Sequence, residues 1–168
     1  MMNRKQIQRM VLCALLTALM LVLGYIENLL PMPGAMPGMK LGLSNSVLIY
    51  ALYMLSGPTA FMLMVLKALL SALLFGGVST LPFSLAGGAL SLIGMILCKK
   101  IKDISPLGVS AVGGMMHNVG QVLVAMLLLK TAGLLGYMAI LMGVGLATGL
   151  VTGLVAKLTM KHLKTIFR

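Results

Sequence analysis

The sequence predicts an all-α, polytopic membrane protein: a bundle of six transmembrane helices with both termini in the cytoplasm. Of its 168 residues, 60% are hydrophobic and only 9% are charged, and the mean hydropathy is +1.10. A soluble domain usually contains about 25% charged residues, so this chain cannot cover a surface that faces water. At about 20 residues per crossing, six helices use nearly the whole length. We therefore expect residues 1–168 to form a single integral membrane domain.

Six apolar segments follow one another along the chain, and Gly, Pro or polar residues separate them. The first is too long to be the apolar part of a cleaved signal peptide. The second is short and begins with Ser44, Asn45 and Ser46, so its outer end is expected to face protein rather than lipid. The predicted spans are residues 10–30, 41–55, 58–75, 80–98, 107–129 and 134–155.

Positive charge lies almost entirely on one side of these spans. The other side carries only Lys40 and Lys130, and Lys67 lies within a span. Because cytoplasmic loops are enriched in Lys and Arg, we expect the basic side to face the cytoplasm, in the cytoplasmic (inner) membrane of a prokaryote. The net charge of +11 then serves topology and contact with anionic lipid headgroups, not nucleic acid. The basic side carries Arg4, Lys5, Arg9, Lys99, Lys100, Lys102, Lys157, Lys161, Lys164 and Arg168.

Polar residues within the predicted spans converge on the outer half of the bundle, where we expect a pocket for a small molecule. Lys67 lies near the middle of the third span and His117 near the middle of the fifth, and an ionisable group at that depth is costly and often functional. The pocket candidates are Glu27, Lys40, Asn45, Lys67, Ser84, His117, Asn118 and Gln121.

For several of these residues, a structural role is an alternative to ligand binding. Lys67 is expected either to bind an anionic group of a ligand or to form an ion pair with Glu27. His117, Asn118 and Gln121 either contact a ligand or join helices by hydrogen bonds, each worth about 1 kcal/mol in a membrane. Glu27 and Lys40 lie near the water interface, where a purely interfacial role is an equal alternative.

Small residues form a second pattern, because they allow helices in lipid to approach closely. Gly145, Gly149 and Gly153 form a ridge on the sixth span, which internal packing suffices to explain. Ala14 and Ala18 form a similar pair on the first span, where docking of another membrane subunit is an alternative.

Catalysis by this chain alone is not expected. Its two acidic residues, Glu27 and Asp103, are predicted on opposite sides of the membrane, so they can neither form an Mg²⁺ site nor share acid and base work. No nucleotide-binding loop is present. Cys13 and Cys98 lie in apolar runs without metal-ligand spacing, and we interpret them as small buried hydrophobes. No metal site or bound cofactor is expected.

Five stretches carry a resemblance to a known family: ALLTALMLVLGYIENLLP (14–31), PGMKLGLSN (37–45), LKALLSALLFGG (66–77), SLAGG (84–88) and HNVGQ (117–121). Together they resemble the Gx transporter family, historically labelled heptaprenyl diphosphate synthase component I. The resemblance covers nearly the whole chain. The sequence departs from the family pattern at Lys67, where the family has arginine, which keeps the charge but loses the bidentate fork.

This resemblance implies a substrate-binding subunit (S component) of an energy-coupling factor (ECF) transporter, which captures a micronutrient from outside. Such subunits dock on a transmembrane T component bound to two ATPases, which use the ATP. The resemblance implies docking through small residues of the first helix, here Ala14 and Ala18. Two alternatives remain. The chain could be a noncatalytic membrane subunit of heptaprenyl diphosphate synthase, in isoprenoid or quinone metabolism, or it could serve flavin-linked electron transfer to the cell exterior.

Overall fold

The computed structural model describes residues 3–29 and 42–166, apart from the side chains of residues 76 and 163–166. Within these ranges the chain forms α-helices and no strand, which confirms the predicted all-α fold. A π-helical turn, Ala72–Gly76, extends the third helix, and a 3₁₀ turn, Val78–Thr80, precedes the fourth. The helices are α1 (Arg4–Leu29), α2 (Asn45–Met54), α3 (Gly57–Ser71), α4 (Leu81–Lys99), α5 (Pro106–Leu129) and α6 (Leu135–Ile166).

Five of the described helical segments are long and apolar enough to cross a membrane, and α2 is the exception. Its 10 residues rise about 15 Å, about half of the 30 Å hydrocarbon core. Residues Asn45–Leu52 are all buried, and α2 packs against the other five helices. The expectation that this segment faces protein is therefore confirmed. The helix starts later than residue 41 because Gly42, with a φ of 86°, turns the chain before it.

Helix starts follow local signals in the sequence. Ser56 and Ser105 precede α3 and α5, and each side chain accepts a hydrogen bond from the backbone N–H three residues later. Both helices also carry proline in their first turn, where its missing N–H costs no hydrogen bond. Helix α6 continues to Ile166, beyond the end of the predicted span. Lys157 and Lys161 end the apolar run there but do not break the helix.

Helices α5 and α6 pack backbone to backbone through glycines. A Cβ at Gly114 would collide with the carbonyl oxygen of Gly145, and one at Gly149 would lie 2.6 Å from the carbonyl oxygen of Ser110. The hydroxyls of Ser110 and Thr152 are hydrogen-bonded across the same contact at 3.1 Å. The glycine ridge on the sixth helix is therefore filled by the chain itself, as the sequence indicated.

Alternating helix directions collect the basic residues at one end of the bundle. Helix α1 begins at this end, and α2, α4 and α6 end there. The Lys99 Nζ of α4 donates a 2.8 Å hydrogen bond to the Leu52 carbonyl of α2 at the same end. We call this the basic end, and its described residues are Arg4, Lys5, Arg9, Lys99, Lys100, Lys102, Lys157 and Lys161. The C-terminal turn of α1 and the start of α2 lie at the opposite end, together with most of the predicted pocket.

Candidate functional site

Glu27 joins the end of α1 to the start of α2. Its side chain is only 5% exposed, and its Oε1 accepts hydrogen bonds from the backbone N–H groups of Gly42 and Leu43, the latter at 2.8 Å. Backbone N–H groups near a helix start carry partial positive charge, so the carboxylate is stabilised there. The polar residue that ends the first apolar segment thus fixes the entry into α2.

Gly42 is the point on which the described site residues converge. A Cβ at this position would lie 2.8 Å from Asn45 Nδ2 and 3.3 Å from His117 Cδ2. With its positive φ and this crowding, only glycine fits here. The sequence reasoning missed Gly42 as a site residue, although Gly-x-Ser-Asn before an apolar run is a recognisable helix-start signal.

His117 is enclosed between α2 and α4. A Cβ at Gly87 of α4 would lie 3.0 Å from both Cε1 and Nδ1 of the imidazole, so the glycine makes room for the ring. On its own helix, Gln121 Nε2 lies 2.9 Å from His117 Nε2. Ser84 is buried on α4, one turn from Gly87 on the same face.

Lys67 reaches from α3 to α1, one turn from Glu27. Its side chain is 6% exposed, and its Cε lies 3.7 Å from the position that a Cβ on Gly24 would occupy. Gly24 and Glu27 are three residues apart and share one face of α1. The structure therefore places the lysine stem against the turn of α1 that precedes Glu27.

One predicted site residue, Asn118, is placed elsewhere. Asn118 Nδ2 donates a 2.6 Å hydrogen bond to the carbonyl of Leu141, so this amide joins α5 to α6. Lys40 lies outside the described residues. The structure thus brings together Glu27, Asn45, Lys67, His117 and Gln121, with Ser84 nearby.

Three buried polar atoms at this end have no hydrogen-bond partner in the described structure: Glu27 Oε2, Ser44 Oγ and Asn45 Nδ2. All three side chains are at most 5% exposed. A buried polar group without a hydrogen-bond partner costs about 1–3 kcal/mol of stability. Binding of a molecule that completes these hydrogen bonds is favoured because it removes that cost. Ser44 was not among the predicted site residues, because a small residue before a helix is ordinarily a cap.

Among the residues that the structure describes, no three His, Cys, Asp or Glu side chains come together. The predicted docking pair, Ala14 and Ala18, is exposed on α1. Large apolar side chains surround the pair, including Leu15 at 64% and Leu19 at 48% exposure. This face of α1 is uncovered by the rest of the bundle.

The fold is that of a solved transporter subunit. The structure is similar to that of the S component of a bacterial ECF transporter, with a TM-score of 0.74 over 97% of this chain and 99% of that chain, at 20% sequence identity. No curated protein sequence matches the chain significantly. Residues 16–159 match the family described as heptaprenyl diphosphate synthase component I. The resemblance seen in the sequence is thereby confirmed: the chain belongs to this family.

Proposed function

We propose that this protein is the substrate-binding S component of an ECF-type uptake transporter. The observation that carries the proposal is the set of buried polar atoms on Glu27, Ser44 and Asn45 that have no hydrogen-bond partner among the described residues, inside a fold similar to a solved S component. A protein that uses this fold only as a membrane anchor has no need for unfilled hydrogen-bonding capacity at one end. A small-molecule ligand uses it directly.

The ligand chemistry follows from the side chains at the site. Glu27 Oε2 offers an acceptor, Asn45 Nδ2 a donor, and Ser44 a hydroxyl that does either. The site therefore suits a ligand with both donors and acceptors. In this proposal Lys67 and His117 hold an anionic or hydrogen-bonding group, and neighbouring Met and Leu side chains enclose an apolar part.

Energy for uptake comes from partner subunits in this proposal: a transmembrane T component and two ATPases. The exposed face of α1 around Ala14 and Ala18 is the proposed docking surface. The basic end faces the cytoplasm of a prokaryotic cell, and the Glu27 end opens to the outside. The role is binding and not catalysis, since the chain has only two side-chain carboxylates and they lie at opposite ends of the bundle.

A noncatalytic membrane subunit of a prenyl diphosphate synthase is the second candidate, favoured by the description of the matched family. Affinity purification from the native host in mild detergent separates the two functions. We expect a T component and an ATPase pair to co-purify with the tagged protein. Recovery of a soluble prenyl synthase in their place would contradict the transporter proposal.

A further inference from the structure

An apolar groove of about 720 Å³ runs between α3 and α4 toward the basic end. Phe61 and Ile93 form part of its walls and are each more than half exposed, so the groove is open on the flank that faces lipid. Leu52 of α2 also lines the groove, and Ala89 lies at the end that is farther from the basic end. The groove is separate from the Glu27 site, which lies at the opposite end of the bundle.

Two lysines stand at the mouth of this groove, Lys99 and Lys100. Lys99 is held in place, because its Nζ donates to the Leu52 carbonyl at 2.8 Å and lies 4.5 Å from the centre of the Tyr53 ring. An ammonium has three N–H groups, so others remain for a ligand. Lys100 is exposed beside it.

The groove has the length of one membrane leaflet. Ala89 and Lys100 are 11 residues apart on α4 and its cap, which corresponds to about 16 Å at the rise of an α-helix. Half of a bilayer core measures about 15 Å. The lysines therefore stand at the level of the headgroups when an acyl chain fills the groove.

We propose that this groove binds an anionic phospholipid, with an acyl chain against Phe61 and Ile93 and the phosphate at Lys99 and Lys100. Charge complementarity selects this occupant over a neutral lipid or an apolar helix. Asp103 is the one acidic side chain at this end, and it lies among eight described Lys and Arg residues. Basic pockets between helices on the cytoplasmic side are a known mode of recognition for anionic headgroups.

Native mass spectrometry of the full-length, detergent-purified protein tests the proposal with phosphatidylglycerol and phosphatidylcholine of identical acyl chains. We expect the wild type to retain phosphatidylglycerol in preference, and Lys100→Gln to reduce that preference about fivefold, the effect of about one lysine near a membrane surface. Lys99→Gln together with Lys100→Gln should reduce it further. If the double variant does not fold, because Lys99 also contacts Leu52, Lys100→Gln alone decides.

Lys102→Gln is the matched control, since Lys102 is exposed at the same end but does not line the groove. It should change the preference by less than Lys100→Gln does, because its side chain does not line the groove. An equal loss in Lys102→Gln and Lys100→Gln would overturn the proposal, as would a wild type without preference. Glycerol phosphate in excess should not displace the lipid, and displacement would show that the apolar groove contributes nothing.

Discussion

Glu27 is the residue on which the local structure of the site depends most. Replacement by Gln removes the negative charge that faces the N–H groups of Gly42 and Leu43. Loss of a charge-assisted hydrogen bond in a buried position costs about 1–3 kcal/mol. We therefore expect Glu27→Gln to lower the midpoint of thermal unfolding in detergent. Asn28→Ala, at the exposed neighbouring position, is the control and should leave the midpoint unchanged; equal midpoints for both variants would contradict the role of Glu27.

Lys67 is the second residue of the site whose role a substitution tests. Lys67→Met keeps an unbranched side chain beside Gly24 but removes its positive charge. Because an anionic ligand group loses its counter-charge, we expect affinity for such a ligand to fall more than about tenfold, which corresponds to about 1.4 kcal/mol. The measurement is a binding titration with the molecule that the wild type retains. Unchanged affinity would remove Lys67 from the site.

The contact between α5 and α6 is tested most directly at Gly145. A Cβ there would lie 2.8 Å from Asn118 Nδ2 and close to the carbonyl of Gly114, so Gly145→Ala forces the helices apart. Overpacking of this kind costs about 1–3 kcal/mol. Gly143→Ala, two residues away with open space around it, is the matched control and should be neutral or slightly stabilising. Thermal unfolding that is unaffected by Gly145→Ala would contradict the observed packing.

The proposed docking surface lies on helix α1. Ala14→Leu with Ala18→Leu enlarges two exposed positions without filling any contact inside the bundle. In the proposed transporter, we expect this double variant to lose co-purification of the T component while it retains the bound small molecule. Ala139→Leu with Ala147→Leu is the matched control, because it makes the same change at exposed positions of α6. A T component that still co-purifies with the α1 variant would place the docking surface elsewhere.

For the whole molecule, the orientation in the membrane is open to test. In a chain with Cys13 and Cys98 replaced by Ala, a single cysteine is introduced either at Thr131 or at Asp103, which are exposed at opposite ends. A membrane-impermeant maleimide applied to intact cells should label Thr131→Cys. In the proposed topology the basic end faces the cytoplasm, so Asp103→Cys should react only after lysis. The reverse pattern would invert the proposed topology.

Hydropathy and glycine spacing predicted the helical architecture well, because both act locally. The buried position of α2 also followed from its short length and polar start. The sequence grouped Asn45 and His117 in one pocket, but the position of Gly42 against both could not be predicted, since it depends on how the start of α2 meets α5 in space. The role of Asn118 could not be predicted either. Adjacent residues on a helix face different neighbours, and the sequence does not tell which side-chain amide of α5 contacts α6.

The central claim is that the polar cluster around Gly42 binds a small molecule. Native mass spectrometry of the protein purified from its own host, compared with Asn45→Ala, tests it most directly. Asn45 Nδ2 has no hydrogen-bond partner among the described residues, so its loss removes a contact that the proposed ligand would make. We predict a retained small molecule on the wild type and a markedly lower occupancy on a variant that unfolds at the same temperature. Equal occupancy of both proteins, or a wild type without any retained molecule, would contradict the account.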